Sequence, residues 1–406
     1  MGRRRKLQQG AGDMSLWGMY DRPFLIAGGG IAGFATSLAL ARIGRHAEVF
    51  ERAVAFEEEG AGLQMSPNAV LCLRLLDAWD VLEPACISPS EIHIRDGRSG
   101  AMLQRIPLGK SFEAEVGAPY RVTHRSDLLR GLVQTAQSRA RIRLHTGRIV
   151  ERAESTKQGA RLLFTEGPLA DGAAVIGADG IHSTIRDAIV GDNPFYGGQA
   201  IYRALLPIEK VPLSIVADCV TLWLYPGGHV VHYAVSNWRS FNIVAVLENS
   251  EHPEGWNQPA SAAEIANGFA KAANPLTDLL HAVPAWKKFA AADRQPADCW
   301  SSGNIALIGD AAHASLPYLA QGAAMALEDA VVLAKCISAD SSIAAAMTTY
   351  ARLRQPRTAR IQRESRRLAV IYHVRGLQAT ARNAVMRFLG PRYSLRRNQW
   401  IYDWLP

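Results

Sequence analysis

The sequence predicts an α/β protein: a Rossmann-like dinucleotide-binding domain, an antiparallel sheet inserted into it, and a helical C-terminal segment. Three observations carry that reading. A glycine-rich turn joins an apolar strand to an apolar helix at residues 28–33. Apolar runs bounded by Gly and Asp return at Ala173–Ala178 and Asn304–Ile308, each leading into a helix-like stretch. Between these two lies a different texture, β-rich alternation broken by turn signals.

Residues 1–21 open on the basic run Gly2-Arg-Arg-Arg-Lys6 with no apolar signal core behind it, so a disordered extension is expected. A strand at Pro23–Ala27, a helix at Ile31–Ile43 and a strand at His46–Phe50 make a βαβ start. The uncharged run Phe24–Ala41 is interrupted by Gly28, Gly29, Gly30 and Gly33, which favours strand, turn and helix over a membrane span. Segments Val220–Tyr225, Val230–Ser236 and Asn242–Leu247, separated by signals such as Pro226-Gly-Gly, predict the inserted sheet. The last 65 residues read as helices.

Composition bounds the partners. With 406 residues and 48% hydrophobic content the chain can bury a large core. Its five cysteines are scattered, without C-x-x-C or disulfide spacing, which fits a reducing cytoplasm. The net charge of +8 is concentrated: residues 341–406 hold 13 Arg against Glu364 and Asp403, so the remainder is slightly acidic. Arg352, Arg357, Arg360, Arg363 and Arg367 recur at helical spacing, predicting a solvated helix face. A subunit contact such as a homodimer, anion steering and weak nucleic-acid binding are the other readings, and no specific nucleic-acid partner is expected.

Gly28-Gly-Gly30-Ile-Ala-Gly33 has the G-x-G-x-x-G spacing between strand and helix, where backbone can approach a pyrophosphate at the helix N-terminus. Glu51 follows 21 residues after Gly30, where a carboxylate accepts from a ribose diol. Together they predict an ADP-containing cofactor with a free 2′-hydroxyl, FAD or NAD. Only one such motif is present.

Two further motifs, Gly177-Ala-Asp-Gly180-Ile-His-Ser-Thr-Ile-Arg186 and Gly309-Asp-Ala-Ala-His313 with Gln321-Gly-Ala-Ala-Met-Ala-Leu-Glu-Asp329, complete a set. In this order the three resemble the signatures of the single-component (class A) flavoprotein aromatic hydroxylases, of the 4-hydroxybenzoate hydroxylase type. The resemblance runs from about residue 22 to the C-terminus. It implies bound, non-covalent FAD, transient NADH or NADPH, and insertion of one atom of O2 into an aromatic ring. It also implies a discontinuous FAD-binding domain over residues 22–80, 120–190 and 295–340, a substrate-binding sheet domain over 81–119 and 191–294, and the helical segment 341–406. By the same resemblance Asp310 meets the flavin ribityl chain, and Arg125 and Asp179 meet cofactor. The helix beginning at Gln321, Gly322 and Ala323 aims its positive end at the flavin.

Glu59-Gly-Ala-Gly-Leu-Gln-Met-Ser-Pro-Asn68, Tyr202-Arg203 and Trp400-Ile-Tyr-Asp-Trp404 resemble the branch of salicylate hydroxylase, 3-hydroxybenzoate 6-hydroxylase and 6-hydroxynicotinate 3-monooxygenase. That branch implies a small hydroxylated aromatic acid, with Arg203 and Pro317 at its pocket. Pro317 stands where some 3-hydroxybenzoate enzymes carry glutamine, which points away from that substrate. His229 and Tyr233, four apart on one strand, share a face and match a His and a Tyr that approach the ring. A neutral imidazole there takes the phenolic proton and activates the ring. His232 faces the other side, and no metal site is expected from the pair. Two rival readings are an epoxidase or tailoring oxygenase of a larger natural product, and a flavin-bound interaction protein with a basic C-terminus.

Overall fold

The computed structural model describes residues 22–56, 60–249 and 258–404; the expectation for residues 1–21 lies outside them. Five parallel strands, ordered Ile305–Leu307, Ala174–Gly177, Phe24–Ala27, Ala47–Phe50, Ile142–His145, form the nucleotide-binding sheet, with Ser301–Ser302 antiparallel at one edge. Phe24–Ala27 is buried throughout, as a central strand covered on both faces must be. Helix Ile31–Arg42 is apolar nearly all round because it lies between this sheet and a second buried helix, Gly322–Ala339. Strand and helix together account for the long uncharged run, and no described helix is long and apolar enough to cross a membrane.

The second large sheet has eight strands, ordered Gln258–Ala260, Trp286–Asp293, Phe195–Pro207, Ser240–Glu248, Gly228–Val235, Val220–Tyr225, Glu91–Asp96 and Met102–Pro107. It is antiparallel except where Val220–Tyr225 runs parallel to Glu91–Asp96. Its register sets which side chains stand in line on one face. Arg203, Val244, Val231, Leu222 and Ile94 are paired strand to strand and make one row across a single face. The next row on that face holds Ile201, Val246, His229 and Leu224, and the row beyond the first includes Tyr233 beside Asn242.

Helices Ile343–His373 and Gly376–Tyr402 close the chain, the second kinked at Gly390 and Pro391. The inward stripe of the first runs Met347, Tyr350, Arg354, Thr358, Ile361, Gln362, Ser365, Leu368, Ala369, at helical spacing but with polar groups at its centre. The expected solvated arginine face is corrected at Arg357. Its guanidinium bonds both oxygens of Glu328 at 2.7 Å and the carbonyls of Trp400 and Ile401. Arg360 lies 3.7 Å over the Trp400 ring. Aromatic residues returning from the C-terminal end lie against these arginines, a tertiary contact that spacing along one helix cannot reveal.

Candidate active site

The glycine turn is built for close approach. Gly28 has φ +109°, and a side chain at Gly33 would put its Cβ 1.9 Å from the Gly28 carbonyl oxygen. In front of the helix the situation reverses: a Cβ at Gly30 would meet nothing within 4 Å, and no side chain caps the helix. Free N–H groups thus face open space where a pyrophosphate would lie. Glu51 stands beside it, accepting from Gly29 N at 2.7 Å and from Ala53 N at 2.9 Å, with a second lone pair left on each oxygen for a ribose. Asp179 uses one oxygen to accept from the backbone N–H groups of Thr184 and Ile185. Its other oxygen is buried without a partner among the described residues, and its Cα lies 3.1 Å from where a Gly28 Cβ would stand. Desolvation raises the Asp179 carboxyl above the usual range.

Asp310 is exposed although Gly309 and Ala311 beside it are buried, so its carboxylate is presented from a rigid base. That base is an ion network. Arg186 donates to the carbonyls of Ala311 and Ala312 at 2.9 and 2.6 Å. Asp329 accepts from Gly309 N at 3.1 Å and pairs with His313 and with Arg354. Desolvation opposes the Asp329 charge, but His313 and Arg354 outweigh it and lower its carboxyl to about 2. Glu328 bonds Asn68, Arg354 and Arg357. Gln321 spends its side chain on Ser66 and Asn68. It therefore fixes the loop, while the helix end itself, with open space at Gly322, faces outward without a side-chain cap.

The sheet face supplies the rest. His229, Val246 and Ile201 on one side, and Tyr233 and Asn242 on the other, are buried. Between them Arg203, Val244, Val231 and Ile94 are only half-buried, while Leu222 of the same row is buried. The half-buried stretch at Arg203, Val244 and Val231, beyond which Leu222 and Ile94 pack with Tyr372 and Met386, is the candidate cleft. Tyr318 and Leu319 pack along one side with Tyr372, and strand Gly62–Met65 packs along the other, its Gly62 close against the Tyr233 ring.

At the end of the strip Arg203 lies 4.8 Å over Phe289, and its Nε has no hydrogen-bond partner among the described residues. Burial, reinforced by the like charge of Arg125, lowers its pKa to about 10. A guanidinium so placed is complete only with an anion. Burial raises the Tyr233 hydroxyl, which therefore stays protonated and gives Arg203 no counter-charge.

His229 donates or accepts at Nδ1 with Nε2 of His373 across 2.9 Å, packed by Tyr318 and Tyr372. Burial, then His373, holds it well below the usual histidine range, so the ring is neutral. With Nδ1 engaged, Nε2 is the atom left for chemistry. Pro317 is exposed, and its neighbour Tyr318 meets the sheet in its place. His232 points to the opposite face and accepts from Trp223 Nε1 at 2.9 Å. Sequence reasoning missed His373, Tyr318 and Arg125's proximity to Arg203; each reaches the cleft from a remote element, and no local signal marks it.

A family model described as FAD binding domain matches residues 21–365. The chain is 34% identical over 386 residues to 3-hydroxybenzoate 6-hydroxylase of Polaromonas naphthalenivorans, covering 95% of this chain and 96% of that protein. It is 38% identical over 373 residues to 3-amino-4-hydroxybenzoate 2-monooxygenase of Streptomyces cremeus, covering 91% and 93%. Among solved structures, Klebsiella pneumoniae HpxO complexed with FAD and uric acid superposes with a TM-score of 0.84 at 26% identity, covering 95% of this chain and 98% of that one. The chain belongs to the FAD binding domain family and is an FAD-dependent aromatic-ring monooxygenase.

Proposed function

We propose that this protein hydroxylates a small phenolic acid with NADH or NADPH and O2, holding the substrate in the strip between His229 and Tyr233. The observation that carries the reading is Arg203: a half-buried guanidinium on that strip whose buried Nε has no hydrogen-bond partner among the described residues. A benzoate-type carboxylate supplies the missing charge, and the apolar Val231 and Val244 beneath it suit a single ring. FAD, when bound, supplies the electrons and the activated oxygen. Gly28, Gly30, Gly33, Glu51, Arg125, Asp179, Asp310 and the helix end at Gln321, Gly322 and Ala323 would hold it.

The chain's own residues perform the remaining work. His229 Nε2 accepts the phenolic proton, and His373 at Nδ1 shares the positive charge that develops. The phenolate so formed pushes electron density onto the carbon that is attacked. Tyr233 fixes the ring from the other side. Tyr318 and Tyr372 keep water from the histidine pair.

The relatives' names supply the probes. Holoenzyme is offered 3-hydroxybenzoate, 3-amino-4-hydroxybenzoate, salicylate, 6-hydroxynicotinate and a multi-ring phenol, with NADH consumption and product followed together. One of the small acids should raise NADH oxidation severalfold and appear hydroxylated. Stimulation by the multi-ring phenol alone would transfer the assignment to a tailoring oxygenase, and oxidation indifferent to every aromatic would refute it.

A further inference from the structure

We propose that Glu91, His93 and Cys219 form a binding site for Zn2+ or a cation of similar softness, on the face of the eight-stranded sheet opposite the cleft. The three come together through the parallel pairing of Glu91–Asp96 with Val220–Tyr225. Val220 lies opposite Ile92 and Thr221 opposite His93, so Cys219, Glu91 and His93 share one face. The sequence hides this, because Glu91-x-His93 and a cysteine 126 residues later show no ligand spacing.

Their ligand atoms all lie within 4.8 Å of one another. His93 Nε2 is 3.6 Å from Cys219 Sγ. Tetrahedral zinc with one nitrogen and one sulfur ligand sets those atoms about 3.6 Å apart. Glu91 Oε2 is 2.6 Å from the same nitrogen, a hydrogen-bond distance that would open by roughly 0.7 Å on ligation. Two features make that movement easy. The Glu91 side chain is 31% exposed, and His93 Nδ1 has no partner among the described residues that a turning ring would lose.

His93 and Cys219 are buried, and the open side at Glu91 leaves a fourth position for water. Asp218, whose Oδ1 is 3.5 Å from the sulfur, is the protein alternative. The donor set of imidazole, thiolate and carboxylate selects zinc over magnesium or calcium. Binding exchanges the thiol proton for a sulfur–metal bond, releasing one H+ without any redox change.

A cation here ties the turn before Val220 to strand Glu91–Asp96 and lies on the face away from Arg203. It should stabilise the fold without entering turnover. The test uses tag-free, chelator-treated holoenzyme titrated calorimetrically with Zn2+ in buffers of different ionisation enthalpy, with zinc-edge X-ray absorption on the loaded sample. One Zn2+ per chain, about one proton released, a single sulfur at about 2.3 Å, a raised melting temperature and unchanged hydroxylation are expected. Cys219→Ser and His93→Gln should weaken binding by at least about 10-fold. Glu91→Gln is the milder variant should either fail to retain flavin. Cys299→Ser, altering the exposed cysteine, should bind as wild type. No stoichiometric binding, a spectrum without sulfur, or wild-type affinity in the Cys219 and Glu91 variants would overturn the site.

Discussion

His229 and His232 stand three residues apart on one strand, are both buried, and both stay neutral at the mildly acidic pH where an exposed histidine gains its charge. Burial lowers His232 to about 3 and His229 well below its usual range. Yet their surroundings differ. His232 is closed in by Trp223, which donates to it, and by Phe241. His229 borders the half-buried strip, where Arg203 Nε has no hydrogen-bond partner among the described residues, and has a second imidazole behind it. A depressed histidine pKa marks burial; what marks function is burial beside a cleft with an unfinished electrostatic partner.

The sharpest break of that comparison is substitution at His229. His229→Asn should retain FAD and lower hydroxylated product by roughly 10²- to 10⁴-fold, the usual contribution of a positioned base, with hydrogen peroxide making up the difference in NADH consumed. His232→Gln, by contrast, should leave product per NADH unchanged while lowering the melting temperature. Equal loss of coupling in both variants would mean that the two faces do not differ in the way described.

A smaller effect separates the histidines by pH. Unfolded, His373 titrates near 6.5; folded, desolvation chiefly lowers it to about 4. The stability it contributes is whole above pH 6.5 and is lost as pH falls from there towards 4, in total on the order of 3 kcal/mol. Denaturant midpoints at pH 7 and pH 5 should therefore differ in wild type, and the difference should shrink in His373→Asn. An unaltered difference would place the titration elsewhere. Smaller again, Tyr233→Phe removes one hydroxyl beside the strip and should weaken substrate binding by about 1 kcal/mol; a binding constant equal to wild type would make Tyr233 ordinary core.

The same contrast explains how much of the molecule was legible in its sequence. The cofactor end is written in backbone requirements: Gly28 needs a positive φ, Gly33 has no room for a Cβ, and Glu51 must end the next strand. Such constraints are local, so a short motif displays them. The strand texture likewise displayed the sheet, and its alternation put His229 and Tyr233 on one face. What holds Asp310 and Gln321 in place was not legible. Arg354 and Arg357 pair with Glu328 and Asp329 across two helices, and Arg357, set at helical spacing with exposed arginines, looks like part of a solvated stripe until its partner is known. His373 was equally hidden, since its link to His229 spans 144 residues.

The central claim is that the accessible strip receives the substrate's carboxylate at Arg203, and substrate titration of Arg203→Gln holoenzyme tests it most directly. With flavin content matched to wild type, the dissociation constant for the stimulating acid, read from the perturbed flavin spectrum, should rise by roughly 10- to 150-fold, the worth of a charge-assisted pair. The uncharged amide of that acid should bind both proteins alike. If the acid binds the variant as tightly as wild type, Arg203 does not hold the carboxylate and the substrate lies elsewhere.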